Sequence, residues 1–277
     1  MKLPKVTKEE TLSPTRTEQK KVRSLTTKKG RRSSGLYVAE GVRLLEEAFR
    51  HRARPNVVYY APSVLSDRGT RLIGRFRSQG IKTSRATSSE LSSMTGTMTS
   101  QGILATFPIP VTELTQLHHH RMRNILVCDG LSDPGNLGTL IRSALAFGFD
   151  MILLCNNCAE PYSPKVVRAS AGAIFAMPIA ITGPAQAVGF AKSERFATIA
   201  ADVAGTNSLD NVLRQLSHSK MMLAIGSEAE GLCDDLLTNA DFRVRVPHAE
   251  TVDSLNAAIA GSILMKDCYS SRHRRKQ

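Results

Sequence analysis

Three glycine-bearing loops hold the side chains of this 277-residue chain whose types could do chemistry. The first lies in NILVCDGLSDPGNLGTLIRSALAFGF, residues 124–149, where DPGNLG takes the place of a phosphate-binding turn and Arg142 follows it. A dinucleotide fingerprint, G-x-G-x-x-G, lets backbone approach a pyrophosphate. Here Gly135 and Gly138 give only G-x-x-G with Asn136 between them, and no carboxylate follows about 20 positions on at the end of a second strand. A Walker loop is excluded too, since no Gly-Lys-Ser/Thr follows. The second loop, AIGSEAEGL at 224–232, brings Gly226, Ser227 and Glu228. The third, VPHAETVDSLNAAIAGSI at 246–263, brings Val246, Ser254, Leu255 and Asn256. Taken singly, each residue has an ordinary explanation. Asn136 and Ser254 read as helix N-caps, Arg142 and Glu228 as solvated charges, Gly226 as a strand-end turn, and Val246 and Leu255 as core.

The elements that must position these loops follow from spacing. Ile125, Leu126 and Val127 suit a buried parallel strand. Asp133, Pro134 and Gly135 make a turn, Leu137, Leu140, Ile141, Ala144 and Leu145 recur at helical spacing, and Gly148 stops the helix. At about 100° per residue, Arg142 lies well round from that stripe and faces away from the core. Strands are expected near 125, 151, 179, 196, 221 and 242 with helices between, a rhythm that implies a mainly parallel sheet covered on both faces. Ligands of such sheets bind beyond the carboxyl ends of the strands, where all three loops fall. Upstream, a basic stretch at 20–32 leads to a strand at 35–39, a helix with Val42, Leu45, Ala48 and Phe49 on one face, and a strand at 57–60. A basic helical stretch at 64–77 and strands at 81–82 and 103–107 close a small α/β unit. Pro108, Pro110 and the histidine run at 118–120 mark a linker, and the histidines are assigned no metal.

Charge divides the chain. The net +13 splits into +8 over residues 1–32, +4 over 33–120, −3 over 121–265 and +4 over 266–277. A polyanion such as RNA is the natural partner of the basic part, although residues 1–19 alone read as a disordered basic terminus. Tryptophan is absent and aromatics make up 5%, so base-stacking platforms are scarce. The five cysteines, with the single C-N-N-C of Cys155 and Cys158, imply no disulfide framework and no metal or redox centre, and fit a reducing compartment such as the cytoplasm or an organellar matrix. Residues 1–20 lack the apolar stretch of a signal peptide. The uncharged span 169–191 is broken by Pro178, Pro184 and three glycines, so no membrane association is expected.

Together the three loops resemble the three motifs of the SpoU/TrmH branch of the SPOUT methyltransferases, and SPKVVRASAGAIFAMPI at 163–179 fits that family's pattern between the first and second. The resemblance runs over residues 121–265. KKGRRSSGLYVAEGVRLLEEA, at 28–48, is similar to the L30e-like substrate-binding domain often attached to these enzymes. It implies an α/β fold: a mainly parallel sheet with a C-terminal trefoil knot, preceded by a small α/β L30e-like domain. Residues 1–19 would be disordered, 20–107 would bind RNA, 108–120 would link, 121–266 would be catalytic and 267–277 a basic tail. It also implies methyl transfer from S-adenosylmethionine to a ribose 2′-hydroxyl of rRNA or tRNA, by a homodimer without a metal. Asn136, Arg142, Glu228, Ser254 and Asn256 match catalytic positions; Gly226, Ser227, Val246 and Leu255 match the cofactor loops; Lys28, Lys29, Arg31, Arg32, Arg43 and Arg168 are the candidates for RNA contact. Arg142 would grip the target phosphate or ribose; proton removal by a guanidinium with a pKa above about 12 is costly. Glu228 would accept bonds from ribose or orient Arg142, and Asn256 would orient the reacting hydroxyl. The sequence departs from the pattern at Ser227 (usually Asn), Ala229 (usually Gly), His248 (often Met) and Glu250 (usually small). The competing reading is a catalytically silent RNA-binding ribosome-assembly factor on the same scaffold. A nicotinamide-dependent oxidoreductase fails at the fingerprint.

Overall fold

In the computed structural model, residues 10–11, 13–95, 101–112, 114, 122–216, 219–249 and 251–274 are described. The histidine run, most of the 108–120 linker and Glu250 lie outside them. The chain forms two units. One comprises Met1–Pro110 together with Tyr162–Ala176, the other Val111–Pro161 and Met177–Gln277.

The first unit is built on β1 (Glu10–Thr11), β2 (Leu36–Glu40), β3 (Val57–Tyr60), β4 (Thr83–Arg85) and β5 (Ile103–Pro108), in the order β1-β4-β3-β5-β2. β5 runs antiparallel to both β2 and β3, whereas β4 is parallel to β3 and to β1. Two helices occupy the stretch that reads as a charge run. α1 (Arg16–Ser24) starts inside the region expected to be disordered, because Thr15 and Glu18 form a reciprocal capping box and Val22 and Leu25 are buried against Val38, Tyr59 and Leu91. α2 (Lys28–Ser34) is capped by Thr27 and ends at Gly35 in the left-handed conformation. α3 (Val42–Arg50), α4 (Asp67–Ser78) and α5 (Ser88–Thr95) complete the chain order; α3 buries Leu44, Leu45 and Ala48 while Val42 and Phe49 of its expected face are half-buried, and α4 buries Leu72, Ile73 and Phe76.

The second unit carries a fully parallel sheet. Its strands are β6 (Asn124–Cys128), β7 (Met151–Leu154), β8 (Ile179–Ile181), β9 (Ala197–Ala201), β10 (Met221–Ile225) and β11 (Phe242–Val244), in the order β11-β9-β10-β6-β7-β8. β6, β7 and β10 are buried along their whole length, as strands covered on both faces must be. α6 (Pro134–Ala146), α8 (Pro184–Ser193), α9 (Leu209–Leu216), α10 (Asp234–Thr238) and α11 (Ala257–Arg274) connect or follow them. α7 (Pro164–Ala169) and a 3₁₀ turn at Ala173–Phe175 interrupt the run between β7 and β8 and pack in the first unit, where Tyr162 and Phe175 meet Tyr37 and Phe107 at ring separations of 4.9 Å. Residues 267–274, expected as a tail, are the last turns of α11, anchored by buried Cys268 and by Arg272, which donates to the Ser219 carbonyl at 3.1 Å. No helix among the described residues is long and apolar enough to cross a membrane.

Candidate active site

Local capping decides where the polar residues of the three loops stand. Pro134 opens α6, and its N-cap is Asp133, whose carboxylate accepts from the Asn136 N–H at 2.8 Å. Asn136 is therefore not the cap; it sits in the first turn with its side chain free for other work. At the other helix the roles reverse. Asn256, not Ser254, caps α11: its Oδ1 accepts from the N–H groups of Ala258 and Ile259 at 3.1 and 3.2 Å. Glu228 projects from the loop after β10.

These three side chains converge. Oε1 of Glu228 accepts from Asn136 Nδ2 at 2.9 Å, from Asn256 Nδ2 at 2.6 Å and from the Ala257 N–H at 3.3 Å, and Asn256 Nδ2 also donates to Asn136 Oδ1 at 3.0 Å. An amide nitrogen has two hydrogens and an amide oxygen two lone pairs, so the bonding capacity of Asn256 is used up. It organises the cluster and has nothing left to orient a substrate hydroxyl. Asn136 retains one N–H, and Oε2 of Glu228 has no partner among the described residues. Arg142 stands exposed on α6 and bonds to none of the three, so Glu228 orients the carboxamides and not Arg142.

Beside the cluster lies a cleft of about 310 Å³ beyond the carboxyl ends of β9, β10 and β11. Gly226, Ser227, Glu228, Val246, Ser254 and Leu255 all line it. Gly226 is explained by crowding: a Cβ there would lie 2.1 Å from the Gly231 carbonyl carbon, where the loop folds back on itself through paired bonds of Ser227 and Gly231 at 3.0 Å. Three further lining residues, Asp202, Val203 and Arg245, give no signal as motifs, and a fourth, His248, stands where the third motif often has Met. Asp202 and Val203 follow β9, and Arg245 and His248 follow β11, with His248 Nδ1 bonded to the Val246 carbonyl at 2.8 Å. Asp129 was also missed. Buried at the end of β6, it accepts from the Cys233 N–H at 2.8 Å and so ties the first loop to the start of α10. The cysteines around it are free thiols; burial pushes Cys155 up to about 12 and Cys158 up to about 11, leaving them unreactive. Among the described residues no group of ligands could hold a metal ion.

In the first unit Lys28, Lys29, Arg32, Arg43 and Arg168 are exposed. Arg31 departs from the expectation. It is 3% exposed and its Nη1 donates to the Leu25 carbonyl at 2.6 Å, locking α2 against the end of α1. Its charge holds the fold and does not meet a phosphate. Arg31→Ala is accordingly expected to lower stability by about 2 kcal/mol, while Lys28→Ala leaves it unchanged, as chemical denaturation would measure.

A parallel α/β sheet with a cleft at its carboxyl edge, flanked by a carboxylate held between two carboxamides, defines a ligand-binding protein of the doubly covered α/β class. The sequence model of the SpoU rRNA Methylase family matches residues 123–266, and that of the MRM3-like substrate binding domain matches residues 17–105. The chain belongs to the SpoU methylase family and is an RNA methyltransferase of its SpoU/TrmH type, a family whose members use S-adenosylmethionine. It is 30% identical to an uncharacterized tRNA/rRNA methyltransferase of Synechocystis over 89% of this chain and 88% of that one. It is also 30% identical to a 23S rRNA guanosine 2′-O-methyltransferase of Bacillus subtilis, over 88% and 92%. The crystal structure of an AdoMet-bound rRNA methyltransferase from Sinorhizobium meliloti superposes with a TM-score of 0.82 at 26% identity, covering 96% of this chain and 98% of that one.

Proposed function

We propose that this chain methylates a ribose 2′-hydroxyl of structured RNA, rRNA before tRNA, with S-adenosylmethionine in the cleft beyond β9, β10 and β11. The observation that carries the reading is the Glu228 cluster at the mouth of that cleft. The donor set suits the cofactor: Ile225, Val246, Leu255 and Leu264 offer apolar walls for an adenine, and Asp202, Glu228 and Glu230 place negative charge where a sulfonium and an ammonium would sit. Bound there, the cofactor would supply an electrophilic methyl group on sulfur. Asn256 fixes Glu228 and Asn136 in register. The free Oε2 of Glu228 accepts the ribose hydroxyl proton or holds it by a hydrogen bond, and the remaining Asn136 N–H directs the hydroxyl oxygen. Arg142 holds the adjoining phosphate by its planar fork. Alignment of the two reacting centres contributes most of the acceleration on this reading. The deep knot that the resemblance implies belongs to this proposal, and so does a homodimer.

The test is calorimetry of S-adenosylmethionine with the purified chain, followed by primer extension on rRNA and tRNA incubated with both. Saturable binding and a new stop at a 2′-O-methylated nucleotide are the expected results; a folded sample that binds no cofactor at millimolar concentration would leave the assembly-factor reading in its place. The dimer has its own motive. Ile259 and Ile263 are 52% and 37% exposed on α11, the helix that packs against α6, where a second copy would cover them. Light scattering at concentrations where the protein is active should give twice the chain mass, and a strictly monomeric mass would refute the dimer.

A further inference from the structure

The first unit carries an open depression of about 440 Å³ lined by Val42, Arg43, Val64, Ser66, Arg68 and Gln101. Arg43 is exposed and has no ion-pair partner among the described residues. Arg68 is held on one edge by Glu46, with Nε donating to Oε1 at 2.6 Å and Nη2 to Oε2, which fixes the guanidinium plane and leaves the Nη1 donors unpartnered among the described residues. Two guanidinium groups line it; Glu46 offsets the charge of Arg68 while orienting it, so Arg43 brings the unopposed charge and Arg68 a fixed Nη1 edge toward the oxygens of a phosphate. The first turn of α3, whose N-cap Gly41 offers no side-chain cap, adds backbone N–H groups and positive potential beside Arg43.

The remaining walls exceed what a bare anion needs. Val42 and Val64, the latter 48% exposed, provide apolar surface. Ser66 uses its oxygen to accept from the Gly69 N–H at 3.2 Å and keeps its proton to donate. The Gln101 carboxamide is seated against Gly41, whose φ of 111° and lack of a Cβ make the space: a Cβ there would come within 2.5 Å of Gln101 Oε1. With aromatic platforms scarce in this chain, an apolar wall and a carboxamide are the means left for holding a base.

We propose that this depression holds one nucleotide of the RNA substrate, its phosphate between Arg43 and Arg68 and its base against Val42 and Val64 with a polar edge toward Ser66 and Gln101. The site fixes the register of the RNA on the first unit. It rests on the RNA-methylation reading above only in taking RNA as the ligand.

The experiment measures binding of a labelled, mixed-sequence single-stranded oligoribonucleotide to the full chain across a salt series. Arg43→Gln and Arg68→Gln are each expected to weaken binding roughly tenfold and to lower the salt slope by about one, with the circular dichroism spectrum and S-adenosylmethionine affinity unchanged. Photocrosslinking of the unsubstituted chain to 4-thiouridine RNA, which depends on no variant folding, should label peptides bearing Val42, Val64 or Gln101. Unchanged affinity and slope in the double variant, or crosslinks confined to α1 and α2, would overturn the site. So would displacement of the probe by nucleoside monophosphates at matching nucleotide concentration, which would assign the depression to a free nucleotide. Methyl transfer to total rRNA, followed in parallel, separates the two claims. Its absence in the unsubstituted chain alongside lost RNA affinity in the variants sinks the ribose-methylation reading and sustains the site; a double variant with an unchanged KM for RNA sinks the site and sustains the reading.

Discussion

An Arg142→Ala protein is expected to lose methyl transfer by a factor on the order of 10²–10³ while folding normally and binding S-adenosylmethionine as before. The physical basis is the isolation of this side chain. It is exposed on α6, whose buried face is Leu137, Leu140, Ile141 and Ala144, so truncation removes nothing from the core. It makes no bond to Glu228, Asn136 or Asn256, so the cluster beside the cleft should survive its loss. On the proposed reading, what Arg142 contributes it contributes to RNA. Lysine at this position keeps the charge but not the planar five-donor fork, and Arg142→Lys is expected to be nearly as poor. Single-turnover rates with saturating RNA would decide the matter, and an alanine variant turning over at the unsubstituted rate would remove Arg142 from the mechanism.

How far the sequence foretold the molecule depends on whether the controlling forces were local. The strands of the parallel sheet and the helices α3, α4 and α6 were legible, because burial imposes its period on the apolar residues that form them. α1 and α2 were not read, although Thr15 with Glu18, and Thr27 with Gly35, carry ordinary start and stop signals. In a run of lysines and arginines, charge masked them. Burial of Arg31 could not be foreseen either, since it depends on a carbonyl six residues away that only the α1–α2 turn brings into reach. The same holds for Tyr162–Ala176. Its place in the first unit is set by aromatic packing with Tyr37 and Phe107, which lie over fifty residues upstream. At the candidate site, the identities of Asn136, Glu228 and Asn256 were visible in the motifs, but their division of labour was not. Which asparagine caps a helix and which keeps a free N–H is decided by where each helix starts: α6 is capped by Asp133, three residues before Asn136, and α11 by Asn256, two residues after Ser254.

That division of labour can be measured. Glu228→Gln keeps the shape of the side chain and an oxygen able to accept from Asn136, Asn256 and Ala257, but it replaces the unpartnered Oε2 by a donor or turns the donors against one another. It removes one of the three negative charges of the cleft, so it is expected to weaken S-adenosylmethionine binding modestly and, at saturating cofactor, to lose methyl transfer by about 10²-fold or more. Asn256→Ala attacks the same function from behind. It removes two bonds to Glu228 and Asn136 and the cap of α11, so the carboxylate loses its shortest contact and keeps only those from Asn136 and the Ala257 N–H, and the first turn of the helix frays. A comparable loss of rate is expected, here with a modest fall in thermal stability that Glu228→Gln does not share. Because the three side chains act as one unit, the double variant should be little slower than the worse of the two single variants, not slower by the product of their effects. If the rate losses multiply, Asn256 and Glu228 act independently, and the role of Asn256 as the residue that positions Glu228 is wrong.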